Sequence, residues 1–187
     1  LYTFFMAVVN PGDEVIIPTP YWVSYGDQVK MAEGVPVFVQ AKEDNHFKVT
    51  VEQLEAARTD KTKILVLNSP SNPTGMIYSR EELLAIGNWA VAHDVLILAD
   101  DIDCRLVYNG NEFVPISSLS EAIRKQTIVI NGVSKAYAMP GWRVGYAVGN
   151  PQIIAAMSKL TGQTTSNLTA VSQYAKIEEL TGTQESV

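Results

Sequence analysis

A lysine and an arginine eight residues apart offer the clearest chemistry in this sequence. Lys135 and Arg143 lie in Asn131-Gly-Val-Ser-Lys135-Ala-Tyr-Ala-Met-Pro-Gly-Trp142-Arg143-Val-Gly-Tyr-Ala-Val-Gly149, an otherwise uncharged stretch rich in glycine and aromatic residues. It follows a β-like run, Thr127-Ile-Val-Ile130. With few carboxylates nearby in sequence, Lys135 is a candidate for a desolvated amine. Desolvation lowers an amine's pKa, and the neutral form can make a Schiff base with an aldehyde. The arginine offers a planar fork that matches a phosphate. An amine nucleophile beside a phosphate anchor suits a phosphorylated aldehyde such as pyridoxal phosphate (PLP). The competing reading is two solvated surface charges, the commoner fate of both residue types.

Other residues stand where chemistry is possible, each with a structural alternative. Asp100 ends the apolar run 95–99, and ligands of α/β sheets sit outside the carboxyl ends of strands. It could equally cap a loop. Asn72 lies in Ser-Asn-Pro-Thr-Gly, whose dipeptides are also ordinary turn formers. Trp22, flanked by Tyr21 and Tyr25, reads either as a stacking surface or as simple core. His46 and His93, the obvious competing bases, fall in a polar turn and at a helix end, where solvation is expected. Cys104 reads as a small buried residue rather than a reactive thiol. No metal-ligand pattern is among these motifs.

The elements that must position these residues alternate between strand-like and helix-like, the mark of a sheet with crossover helices. Strands are expected at 14–17, 35–40, 63–67, 95–99, 127–130 and 144–148. Helices are expected at 1–9, 21–32, 51–58 with Thr50 as N-cap, from Ser79 to about His93, at 151–160 and at 168–180. Ser79 with Glu82 three residues later has the form of a capping box. At 187 residues, 47% of them hydrophobic, the chain can bury one sizeable core. No linker or repeat divides it. No apolar run has membrane-spanning length, and no signal peptide is visible. A net charge of −6 and pI near 4.9, with no basic stripe, argue against nucleic acid. One cysteine suits a reducing, cytoplasmic compartment.

The lysine segment resembles that of class I/II (fold-type I) PLP-dependent aminotransferases, in the branch of bacterial aspartate aminotransferases. Pro20-Tyr-Trp22-Val-Ser-Tyr25, Asn68-Ser-Pro-Ser-Asn72-Pro-Thr-Gly75 and Ala99-Asp100-Asp-Ile-Asp103 agree with the same family, in its order. The resemblance implies a three-layer α/β/α large domain with a mostly parallel sheet. It implies Lys135 as the Schiff-base and proton-transfer residue and Asp100 as the partner of the pyridine nitrogen. It implies Asn72 as a donor to the 3′-oxygen, Trp22 as the ring-stacking aromatic and Arg143, with Ser134 beside it, at the phosphate. The implied reaction moves an amino group between an amino acid and a 2-oxo acid, in a homodimer whose neighbouring subunit residues 164–167 approach. The chain reads as the central part of the PLP-binding large domain, residues 1–187, cut at both ends, without the small domain. Such a fragment is expected to bind PLP weakly and turn over little. A PLP lyase of the same fold and a non-catalytic effector domain of a transcription regulator remain alternatives. One position departs from the family. Where relatives usually carry a tyrosine, three residues past Asp100, this chain has Asp103. An ionised carboxylate cannot donate a hydrogen bond and would repel a phenolate-like oxygen. Asp103 must therefore turn away, be protonated, or weaken catalysis.

Overall fold

A computed structural model describes residues 1–184. Its elements are α1 (Tyr2–Val8), β1 (Glu14–Thr19), α2 (Ser24–Met31), β2 (Val35–Gln40), α3 (Val51–Ala57), β3 (Thr62–Asn68), α4 (Arg80–Ala92) and β4 (Leu96–Asp100). They continue with α5 (Glu121–Lys125), β5 (Thr127–Gly132), β6 (Gly145–Val148), α6 (Pro151–Thr164) and α7 (Ala170–Thr181). The strands form one sheet in the order β2-β1-β3-β4-β5-β6. Strands β1 to β5 pair in parallel, and β6 runs antiparallel along β5. The mostly parallel α/β sheet implied by the sequence is therefore present.

Continuous apolar runs explain why these strands are central. In β3, Ile64, Leu65, Val66 and Leu67 are all buried, so both faces of the strand are covered. Alternate side chains enter two separate cores. Ile16, Leu65, Leu67, Ile97 and Ala99 pack with Leu54, Leu83, Ile86, Trp89 and Ile123 beneath α3, α4 and α5. Val15, Ile17, Ile64, Val66, Leu98 and Ile128 pack with Phe4, Phe5 and Val29, with Ile153 and Met157 of α6 joining them. The result is helix layer, sheet, helix layer. Each fully buried Leu, Ile or Phe contributes about 1.5–3 kcal/mol relative to exposure.

Helix starts follow local hydrogen bonding. Both capping boxes form: Thr50 with Gln53 opens α3, and Ser79 with Glu82 opens α4. Element ends differ from the sequence reading by a few residues, helix α6 running on to Thr164, and two differences bear on the site and the fold. Helix α2 begins at Ser24, so Tyr21 and Trp22 belong to the approach loop rather than the helix. The short α5, capped by Ser120, was not legible because five residues carry too little periodicity. Among the described residues no helix is long and apolar enough to cross a membrane.

The strand order creates the functional edge. From β1 the chain moves outward to β2, then returns across β1 to β3 and continues to β6, so the crossover direction reverses between β1 and β3. Register places Asn68 opposite Asp100 and Asp100 opposite Ile130, a row at the carboxyl ends of β3, β4 and β5. Open α/β sheets bind ligands outside such ends.

Candidate active site

A cavity of about 410 Å³ lies over that row. Trp22, Asn72, Asp100, Ser134, Lys135 and Arg143 all line it, joined by Tyr25, Asn68 and Asp103. Residues far apart in sequence converge because the loops after β1, β3, β4 and β5 all leave the sheet on one side. His46 and His93 do not line the cavity; both are exposed, and His93 Nε2 lies 3.3 Å from Glu55 Oε2.

Asp100 is the most constrained of the group. Only 4% exposed, it accepts a hydrogen bond at 2.7 Å from the Tyr25 hydroxyl on Oδ2 and one at 3.3 Å from the Ile102 backbone N–H on Oδ1. Burial pushes its carboxyl above the usual range, and these two donors pull the other way. The Tyr25 hydroxyl is pushed far up in turn, first by burial and then by the adjacent Asp100 charge. Tyr25 therefore remains a donor. Sequence reading assigned it no role; its spacing of three from Trp22, at the start of a helix, was the available signal. The two rings meet edge to face at 5.4 Å, and Trp22 is half-buried against the α1–α2 core while still facing the cavity.

Asn68 also went unassigned. Its amide nitrogen donates to the Asp100 carbonyl at 2.9 Å, and its amide oxygen accepts from the Asn72 backbone N–H at 2.7 Å. One side chain thus ties the Asn72 turn to the end of β4. Asn72 itself is exposed.

Lys135 departs from expectation. It sits in the turn after β5, where its carbonyl accepts from the Ala138 N–H at 3.1 Å, and it is exposed rather than desolvated. Arg143 is likewise exposed, in the left-handed region at φ 56°, and its Nη1 donates to the Pro140 carbonyl at 2.8 Å. This bond ties the guanidinium to its own turn, and Arg143 still lines the cavity.

Asp103 does not turn away: it is on the cavity wall, half-buried. Burial raises its carboxyl, and the positive charge of Lys135 opposes that rise. Its neighbour Asp101 lies outside the cavity lining, 7% exposed, with its backbone N–H donating to the Ile130 carbonyl. Cys104 is half-buried and accepts from the Asn131 amide at 3.4 Å.

The family model described as aminotransferase class I and II matches residues 1–186. The chain belongs to this family. An asparagine--oxo-acid transaminase of Streptococcus mutans is 71% identical over all 187 residues, which cover 48% of that relative. An aspartate aminotransferase of Bacillus sp. strain YM-2 is 56% identical over the same span, again 48% of its length. Among solved structures, an aspartate aminotransferase from Rhizobium meliloti superposes with a TM-score of 0.96 at 44% identity, covering 98% of this chain and 46% of that one. The Thermus thermophilus aspartate aminotransferase with maleate gives 0.92 at 40% identity, covering 96% and 46%. The chain thus spans about half the length of the curated aminotransferases it matches.

Proposed function

We propose that the protein is a PLP-dependent amino-acid aminotransferase of the aspartate-aminotransferase type, transferring an amino group between an amino acid and a 2-oxo acid. One observation carries this reading: the loops after four strands bring an amine, a guanidinium, a buried carboxylate, a carboxamide and an indole to one cavity. Its volume lies within the range of small-molecule sites, about 300–1,000 Å³. The donor set fits the cofactor. A buried acid already held by a tyrosine suits a protonated ring nitrogen, and an exposed guanidinium suits a phosphate.

PLP, when bound, supplies an electron sink for negative charge at the substrate Cα. Arg143, with Ser134, would bind its phosphate. Asp100 would hold a proton at the ring nitrogen, with Tyr25 and the Ile102 N–H fixing the carboxylate. Trp22 would cover a ring face and exclude water from it. Asn72 would donate its amide to the ring oxygen, in a position set by Asn68. Lys135 would carry the aldehyde carbon and, once free, move a proton at the substrate Cα.

Within this reading, residues 1–187 form the central part of the PLP-binding large domain, and the protein is cytoplasmic and homodimeric. The 71% identical relative named for asparagine, against several named for aspartate, supports an acidic or amide amino acid as substrate. Asp103 favours one other reading, a non-catalytic module that keeps the fold.

Borohydride reduction of the intact protein in the presence of PLP, followed by peptide mapping, is expected to place a pyridoxyl group on Lys135. An adduct on a different lysine, with Lys135 unmodified, overturns the assignment. No adduct at all favours the non-catalytic module.

A further inference from the structure

Strands β4 and β5 separate at the cavity. Their ladder closes at Asp100 and Ile130, where the Asp101 N–H donates to the Ile130 carbonyl at 2.9 Å. The β4 chain then turns away, and the Asp101 carbonyl accepts from the Cys104 N–H at 3.0 Å. Gly132 lies past the end of this ladder, and its N–H donates to the side-chain oxygen of Asn131 at 2.7 Å. A backbone N–H can only donate, so the carboxamide oxygen must face it and the amide nitrogen must face elsewhere. That nitrogen donates to Cys104 Sγ at 3.4 Å, across 27 residues of sequence. One half-buried side chain therefore spans the opening between the two strands. Space there is tight: a Cβ on Gly132 would meet the Val144 carbonyl oxygen at 2.7 Å and Ile102 Cδ1 at 3.2 Å.

We propose that Asn131 is a positioning residue: by bridging to Cys104 it fixes the spacing between the loop that leaves β4 and the loop that leaves β5. The first loop carries Ile102 and Asp103, the second Ser134 and Lys135, and all four line the cavity together with Asn131 itself. A wider opening between the strands would move these two walls apart. Past Gly132 the backbone bonds are long, from the Val133 N–H to the Val144 carbonyl at 3.3 Å and from the Met139 N–H to the Val133 carbonyl at 3.4 Å. The side-chain bridge therefore adds a hold toward β4 where the backbone ladder has ended. Its bearing on catalysis rests on the aminotransferase reading; the bridge itself does not.

Amide hydrogen exchange of the intact protein without PLP, read by peptide mass, tests the bridge directly. Cys104→Ala removes the acceptor and is expected to speed exchange in peptides covering 131–138 about two- to tenfold, the effect of one lost hydrogen bond. Cys104→Ser keeps an acceptor and should restore slow exchange. Asn131→Ala should speed the same peptides, and adding Cys104→Ala to it should bring no further increase, because the bond is lost only once. Exchange at 131–138 unchanged by Cys104→Ala, serine acting like alanine, or additive effects each overturn the proposal. Should Asn131→Ala fail to fold, the comparison of alanine with serine at position 104 decides alone. With PLP added, Cys104→Ala is expected to weaken binding by a similar factor, and Cys104→Ser to restore it. Faster exchange with unchanged PLP affinity overturns the positioning role. An unaltered protein that binds no PLP, with the exchange results intact, counts against the aminotransferase reading and leaves the bridge standing.

Discussion

Three aspartates within four residues have three different surroundings, and each makes its own prediction. At Asp100 the Tyr25 hydroxyl is the shortest contact to the buried carboxylate. Tyr25→Phe leaves that oxygen short of a donor and is expected to destabilise the fold by about 1–3 kcal/mol, measured by denaturant unfolding. At Asp101, burial reinforced by the Asp100 charge pushes the carboxyl up to about 7. The folded protein therefore holds a proton that the unfolded chain has released. Stability from this group is fullest below the ordinary value of 3.8 and declines as pH rises toward about 7. Glu55 acts oppositely: hydrogen bonds from Arg58 and Trp89 hold it at about 2, so its contribution is present above 4.5 and lost as pH falls. Asp101→Asn is accordingly expected to stabilise the protein more at about pH 8 than at about pH 5. Equal effects at both pH values would contradict the assignment. At Asp103, a tyrosine would restore a donor toward the cofactor oxygen. In the intact protein Asp103→Tyr is expected to tighten PLP binding by roughly ten- to a hundredfold, the worth of one hydrogen bond to a charged group. Unchanged affinity and turnover would mean that position 103 does not act on the cofactor.

Elements place these residues through their ends rather than their middles. Apart from Trp22, Tyr25 and Pro140, the cavity groups lie near the carboxyl ends of β3, β4 or β5, or at the start of β6 or α1. Helix α4 returns the chain from β3 to β4, and its N-terminus depends on the Ser79–Glu82 box, in which the Ser79 N–H donates to Glu82 at 2.6 Å. Glu82 is shared with Lys48 at 2.6 Å, which ties the α4 start to the segment before α3. Ser79→Ala is therefore expected to cost about 0.5–2 kcal/mol in unfolding free energy. PLP affinity should hardly change, because α4 lies on the face away from Trp22 and Tyr25.

On the scale of the whole molecule, helix α7 has one uncovered face among the described residues. Helix α7 presents Val171, Tyr174 and Ile177 at 69%, 76% and 55% exposure, spaced along one face, while Ser172 and Ala175 turn inward. Residues 164–167 lead directly into it. A homodimer burying this helix fits the proposal for the intact protein, with an interface of obligate size. Sedimentation at micromolar concentration is expected to give a dimer, and a monomer there would count against it.

The sequence alone determined the family and most of the architecture, because both reside in local patterns. Apolar runs of strand length, a serine and a glutamate at capping-box spacing, and four ordered motifs are all read without knowing what touches what. The six strands appeared where the runs placed them, with ends differing by a residue or two. Short α5 escaped because it is held by packing against α4 and the sheet more than by its own periodicity. What only the tertiary structure decided was how the motifs meet. The reversal of strand order and the β3–β4–β5 register bring loops some 30 to 60 residues apart onto one cavity. Tyr25 and Asn68 gained roles only there, since their partners lie 75 and 32 residues away. Lys135 moved the other way. Its uncharged neighbours in sequence suggested a desolvated amine, but solvation depends on what packs over a side chain in space, and this one is exposed.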